Sequence, residues 1–232
     1  MNVAIMQPYF LPYIGYFQLM AAVDQFLVYD NIEYTKKGWI NRNRMLVNGA
    51  ASTFSLPLKK ASDFLDVRER EIAPDFDPAR LLNQFKEAYR KAPYRASTLP
   101  LLEKTLLFNE KNLFRFIYNS IIELRDHLGI HTPVVISSTV TIPEGQKSQD
   151  KVLAYCRQLG ATGYLNPIGG VELYERQIFA QAGIGLNFLK STLTPYAQFG
   201  NEFVPALSII DVLMFNSRDV IARLLKSDYA IL

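Results

Sequence analysis

The segment Tyr34-Thr35-Lys36-Lys37-Gly38-Trp39-Ile40-Asn41-Arg42-Asn43-Arg44 gathers cations and two carboxamides around the single tryptophan of the chain. Arginine offers a planar fork that fits carboxylate or phosphate, and lysine a mobile point charge. Rings interleaved with them can stack a base or a sugar. The plain alternative is a solvated basic loop. A second segment, Gln7-Pro8-Tyr9-Phe10-Leu11-Pro12-Tyr13-Ile14-Gly15-Tyr16, follows the apolar run Val3-Ala4-Ile5-Met6. Its prolines fix φ, remove donors and push the preceding residues out of the α region. The result is a stiffened, ring-lined loop carrying one carboxamide, Gln7, and several tyrosine hydroxyls.

Two carboxylates stand where acid–base chemistry would need them. Asp30 closes a short apolar run, and Asp211 interrupts Leu207-Ser208-Ile209-Ile210-Asp211-Val212-Leu213-Met214-Phe215. A buried acid needs a partner, and Arg42 or Lys37 is expected to supply it for Asp211, as a structural pair or as part of a catalytic set. Asn166-Pro167-Ile168-Gly169-Gly170 could admit a ligand to the backbone or simply form a turn. Gly145-Gln146-Lys147-Ser148-Gln149 lacks the first glycine of a phosphate loop; an anion at the helix start and plain capping by Ser148 stay equally open. His127 and His131 flank Gly129 at a helix end, a routine capping arrangement. Cys156 reads as packed core. No Cys/His cluster has metal-ligand spacing and no nucleophile elbow is present, so no metal site is expected.

The elements that must position these groups alternate between strand and helix. Val3 to Met6 reads as a strand, Tyr16 to Val23 as a helix, and Gln25 to Tyr29 as the next strand. So short a crossover between buried strands implies a right-handed parallel βαβ unit. Asp30 and the Pro-Tyr loop then share one sheet edge, where ligands of α/β folds bind. Asn48-Gly49 between Met45–Val47 and Ala51–Leu56 predicts a hairpin. A helix capped by Asp77 with Pro78 in its first turn carries Leu81, Leu82, Phe85, Ala88 and Tyr89. It breaks at Ala92-Pro93-Tyr94. A second helix opens at Thr98-Leu99-Pro100 and runs to about Phe108. A third, with Asn109 as candidate cap, carries Leu113, Ile117, Ile121, Leu124 and Leu128 and ends at Gly129. The last third returns to alternation. Strands are expected at Val134–Ser137, Tyr164-Leu165 and Ile184–Leu189, and helices after Ser148, over Leu173–Ala182, Leu207–Phe215 and Arg218–Leu225. The fold class expected is α/β, Rossmann-like, with a mostly parallel sheet, flanking helices and a helical insertion or subdomain. The divisions are 1–74, 75–129 and 130–232.

The chain has 232 residues, 49% of them hydrophobic and 20% charged, a globular composition rather than a disordered one. A net charge of +3 permits an anionic substrate but provides no concentrated basic stripe for nucleic acid. One cysteine excludes an internal disulfide, which suits a reducing, cytoplasmic setting. Neither a signal peptide nor an apolar run of membrane-spanning length is read.

Together these segments resemble the WbqC-like family. The matching pieces are Gln7 to Phe17, Lys37-Gly38-Trp39-Ile40-Asn41-Arg42-Asn43, Ala92-Pro93-Tyr94, Gly160-Ala161 with Tyr164-Leu165, and Leu207 to Asp211. The resemblance runs nearly end to end. It implies an association with bacterial surface polysaccharide (O-antigen) genes and a glycine-transferring role. The opening is also loosely similar to the nucleotidylyltransferase and pantothenate-synthetase-like group, with Tyr13-Ile14-Gly15-Tyr16 where that group carries His-x-Gly-His. Tyrosine donates a hydrogen bond but cannot become cationic.

The implied function is transfer of a small acyl or aminoacyl group, such as glycine, onto a nucleotide-linked or lipid-linked sugar. An ATP-dependent ligase is the variant that activates a carboxylate first. Lys37, Arg42 and Arg44 would clamp phosphate or carboxylate, with Lys37 close to the chemistry. Tyr9, Tyr13 and Trp39 would shape the pocket, Gln7, Asn41 and Asn43 orient the substrate, and Gly169 and Gly170 admit it. Asp30 or Asp211 would act as base. The alternative is a non-catalytic nucleotide- or sugar-binding partner of a polysaccharide pathway.

Overall fold

A computed structural model describes residues 1–200 and 202–232. β1 (Asn2–Met6) leads through the Pro-Tyr loop into α1 (Ile14–Ala21) and β2 (Gln25–Val28). The hairpin β3 (Arg42–Val47) and β4 (Ala50–Ser55) follows, then α2 (Pro78–Ala88), α3 (Arg95–Leu106) and α4 (Leu113–His127). The alternating part resumes with β5 (Val134–Ile136), α5 (Ser148–Gln158), β6 (Gly163–Pro167), α6 (Arg176–Gln181) and β7 (Gly185–Ser191). It closes with α7 (Ile209–Phe215), α8 (Arg218–Ser227) and β8 (Tyr229–Ile231).

One sheet runs in the order β5-β2-β1-β6-β7-β8. Its pairs are parallel except β7 with β8. From β1 the chain moves outward to β2 on one side, while β6 lies on the other. The strand order therefore reverses between β1 and β6, and helices that cover opposite faces of the sheet part there. The α/β, Rossmann-like reading holds.

The period of two along buried strands distributes side chains to both faces. Val3, Ile5 and Leu27 pack with Val152, Cys156 and Phe179 of α5 and α6. Ala4, Phe26 and Val28 pack with Phe17 of α1, Ile209 of α7 and Leu225 of α8. Each of these Val, Leu, Ile and Phe side chains, once buried, contributes about 1.5–3 kcal/mol. α1 is buried along nearly its whole length, so it needs no polar face. Its one long polar residue, Gln18, donates to Leu224 O and Asp228 O at the end of α8 (2.8 and 3.1 Å). The buried residues of α2, α3 and α4 belong to the same hydrophobic cluster as α1 and α7.

Asn48 and Gly49 adopt positive φ (51° and 78°) between β3 and β4, as a hairpin turn of this sequence demands. Asp77 caps α2 by accepting from Arg80 N at 3.0 Å. Elsewhere the boundaries differ from expectation. Asn112, not Asn109, caps α4, because its carboxamide oxygen reaches Arg115 N at 3.0 Å. α3 starts earlier, at Arg95, with Pro100 inside it. Ser148 does not cap α5: Lys147 holds the cap position and Ser148 is the first helical residue, at φ 46°. α6 begins only at Arg176, after a short 3₁₀ segment over Ile168–Leu173. Among the described residues, no helix is long and apolar enough to cross a membrane.

Candidate functional site

A cleft of about 710 Å³ opens at the carboxyl ends of the strands, at the β1/β6 reversal. Three segments wall it. The Pro-Tyr loop after β1 contributes Gln7, Tyr9 and Tyr13; the segment around β3 contributes Trp39, Asn43 and Arg44. Residues Asn166 to Gly170, at the end of β6 and just beyond it, form the third wall with Leu173 and Tyr174. Ile5, Met6, Tyr29 and Val152 complete an apolar interior.

Local hydrogen bonds explain how each wall is held. Asn43 is buried and donates to Phe10 O and Leu11 O (3.2 and 2.9 Å), so β3 pins the Pro-Tyr loop. Ser208, which caps α7, donates its hydroxyl to Leu11 O at 2.8 Å. Ile209 N donates to Pro12 O at 2.8 Å. Glycine at position 15 is required, because a Cβ there would overlap the Tyr13 ring.

On the far wall, Asn166 accepts from Tyr164 Oη at 3.0 Å and donates to Pro167 O at 3.2 Å. A Cβ on Gly170 would overlap the Asn166 carboxamide, whereas one on Gly169 meets open space. Gly170→Ala is therefore expected to displace Asn166 and lower stability by about 1–3 kcal/mol, as overpacking does. Gly169→Ala should leave the stability read from urea denaturation within about 0.5 kcal/mol of wild type, the range of surface changes. Equal stabilities for the two variants would refute this assignment.

The cleft has few charges. Glu33 and Arg44 are its charged lining residues. The Arg44 guanidinium lies over the Trp39 ring at 5.4 Å and donates from Nη2 to Ala206 O at 3.1 Å. Burial raises the Tyr9 hydroxyl pKa, and the neighbouring Tyr13 adds to it. Burial likewise raises that of Tyr13. It also lifts Tyr29 far above the ordinary range. These hydroxyls are neutral donors and acceptors at any physiological pH.

The remaining sequence candidates lie elsewhere. Arg42 spends its guanidinium on the loop that precedes it, donating to Gly38 O and Lys37 O (3.0 and 2.5 Å). Asn41 accepts from Tyr34 Oη and donates to Leu56 O, both at 2.7 Å. Lys37 is exposed and does not line the cleft. Asp30 is buried and bonded away: it accepts from Ser137 Oγ, Ser138 N and Ser138 Oγ at 2.7, 2.8 and 2.6 Å. It thereby ties the end of β2 to the end of β5.

Asp211 is fully buried, and its partners are not cations. It accepts from Tyr89 Oη, Tyr196 Oη and Gln198 Nε2 at 2.9, 2.5 and 2.7 Å. The expected pairing with Arg42 or Lys37 is replaced by three neutral donors. Behind Tyr29, Lys151 sits 4.8 Å over its ring and donates to Asn31 O at 2.7 Å; burial lowers the lysine's pKa. Cys156 is buried, with its thiol pushed up to about 12, and is chemically quiet. No His/Cys/Asp/Glu group among the described residues could hold a metal ion.

A profile of the WbqC-like protein family matches residues 7–223. The chain belongs to this family. The matched span opens at Gln7 and takes in every polar residue of the cleft, so the cleft is a feature of the WbqC-like part of the molecule. This WbqC-like chain is 27% identical over 221 residues to the Uncharacterized protein Rv1507c of Mycobacterium tuberculosis (strain ATCC 25618 / H37Rv), 93% of each chain being covered. No solved structure matches it.

Sequence reasoning reached Gln7, Tyr9, Tyr13, Trp39, Asn43, Arg44, Gly169 and Gly170, which the structure brings to one cleft. It missed Tyr29, Glu33 and Tyr174. Tyr29 was within reach, since it directly follows β2 at the same edge as the Pro-Tyr loop. Tyr174 was not, because it arrives through an irregular turn after the 3₁₀ segment.

Proposed function

We propose that the chain transfers a small acyl or aminoacyl group onto a sugar of a bacterial surface polysaccharide precursor, with the β1/β6 cleft as its site. One observation carries this reading. The cleft combines aromatic rings with neutral hydrogen-bonding groups that the fold leaves free. Gln7, Tyr9 and Tyr29 line it and donate no side-chain hydrogen bond to a described residue. Rings that cover the apolar face of a pyranose, beside carboxamide and phenol groups that meet its hydroxyls, suit carbohydrate. WbqC-like membership supports the polysaccharide setting.

In this reading an amine or hydroxyl of the sugar attacks the carbonyl of an activated acyl donor. Glu33, the carboxylate lining the cleft, takes the proton of the attacking group. The leaving group departs with the electron pair of the acyl bond. An ATP-dependent ligase would form the activated acyl donor itself. A second reading, a non-catalytic binding partner, is favoured by the sequestration of Asp30 and Asp211, which leaves neither carboxylate to the cleft.

A panel of nucleotide-sugars and ATP, read by thermal shift, tests the cleft. Wild type should be stabilised by at least one compound, and Gln7→Ala and Tyr29→Ala should lose most of that shift. Shifts that survive in both variants would place binding elsewhere. Glu33→Gln should keep the shift and lose about 100-fold in acyl-transfer rate, the scale of a general base. Turnover unaffected by Glu33→Gln removes that role, and binding without turnover favours the partner reading.

A further inference from the structure

We infer that Arg44 is the seat for an anionic group, phosphate or carboxylate, on the ligand of the cleft, and that the N-terminus of α1 is not. The inference rests on the cleft being a small-molecule site. In a fold of this topology the usual anion seat is the helix start after the first strand, where free backbone N–H groups point outward. Here that position is occupied. Tyr13 is the cap residue of α1, and its ring lies against Gly15 in the first turn, close enough that only glycine fits beneath it. Tyr16 N, in that turn, is already bonded to Tyr13 O.

The charge that could replace it is on the opposite wall. Three cations of the Lys37–Arg44 segment were candidates. Lys37 lies outside the cleft, and so does Arg42, two of whose donors go to carbonyls of its own loop. Arg44 is different. It is half-buried, lines the cleft, and has no carboxylate within ion-pair distance among the described residues. Its Nε is buried without a hydrogen-bond partner. Its guanidinium lies 5.4 Å over the Trp39 ring, a ring it shares with Arg42 at 5.7 Å, and Ala206 O takes one of its donors. A preorganised fork that lacks a counter-charge in a mostly apolar cleft is complementary to an anion brought by the ligand.

Trp39 makes this directly measurable, because it is the chain's single tryptophan and is partly exposed. Its fluorescence can be quenched with iodide, an anionic probe, and with acrylamide, a neutral one, at constant ionic strength. In wild type, inorganic phosphate or acetate should reduce the iodide slope and leave the acrylamide slope unchanged. Protection by phosphate alone names a phosphate seat, and protection by acetate a carboxylate seat. Arg44→Gln should lower the iodide slope at least about twofold, since the local anion concentration follows the local charge. Lys37→Gln should not. Phosphate and acetate that both fail to protect the wild type overturn the assignment, whether or not the Arg44 variant folds. The Arg44 assignment and the cleft reading fail separately. Uncharged sugars that stabilise wild type and Arg44→Gln alike, with no anion protection, would keep the cleft and remove Arg44 from it.

Discussion

Asp211→Ala is expected to cost the fold about 3–5 kcal/mol, because it strips the acceptor from three buried donors at once. Tyr89 Oη, Tyr196 Oη and Gln198 Nε2 all end on this carboxylate. Tyr89 in turn accepts from Leu46 N at 3.0 Å, so the network joins β3, the end of α2, α7 and the segment after β7. In a chain of this size the loss corresponds to a fall in Tm of about 10 °C. Urea denaturation of the variant measures it, and a loss under about 1 kcal/mol, the scale of a single ordinary hydrogen bond, would refute the network's role.

The same site has a pH signature. Burial holds the Asp211 carboxyl above the usual aspartate range, against the pull of its three donors. The folded chain therefore keeps a proton that the unfolded chain loses first. Between the ordinary value, about 3.9, and the raised one, the folded state binds more protons, so this group's contribution to stability falls as pH rises. Asp211→Asn removes the titration. The stability of wild type relative to Asp211→Asn should rise as pH is lowered through that window, and a flat difference would show that the carboxyl is not perturbed.

Asp211 also shows where sequence reasoning stops. That a lone acid in an apolar run is buried and partnered follows from the cost of an unpaired charge. Which residues meet it does not, because Tyr89 is 122 residues away along the chain and Gln198 lies in an irregular segment. The βαβ opening, the Asn48-Gly49 hairpin and the helix capped by Asp77 were legible because each rests on short-range periodicity or turn chemistry. β8 escaped: three residues joined antiparallel to β7 at the sheet edge have too little pattern to announce a strand.

The polar start of β3 escaped for another reason. Arg42-Asn43-Arg44 reads as a basic loop, yet its pleat turns Asn43 inward and leaves the two arginines partly exposed. That pleat makes Asn43 the clamp on the Pro-Tyr loop. Arg42 and Arg44 share the other face, and of the two only Arg44, further along the strand, lines the cleft.

Asn43→Ala should therefore damage the cleft as well as the fold. The Pro-Tyr loop has Leu11 at φ 43°, a left-handed conformation that a branched side chain adopts only when its surroundings impose it. Those surroundings are specific: Asn43 Nδ2 and Ser208 Oγ on Leu11 O, and Ile209 N on Pro12 O. The substitution removes both bonds from Asn43 Nδ2 to the loop and the acceptor for Arg44 N. The expected loss is about 2–3 kcal/mol, buried carbonyls left short of donors being the main cost.

Relief of the strain at Leu11 then favours other loop conformations, and Tyr9 and Tyr13 leave their wall. Hydrogen exchange should show lost protection at Phe10, whose N–H is bonded to Ile40 O, and ligand-induced thermal shifts should shrink with it. Asn41→Ala is the matched control. It also removes two side-chain hydrogen bonds, to Tyr34 and Leu56, but from a residue outside the cleft. Comparable destabilisation with ligand response retained in Asn41→Ala and lost in Asn43→Ala separates a wall of the site from a support of the fold. Equal retention in both would mean that the Pro-Tyr loop holds its shape without β3, and the clamp would be wrong.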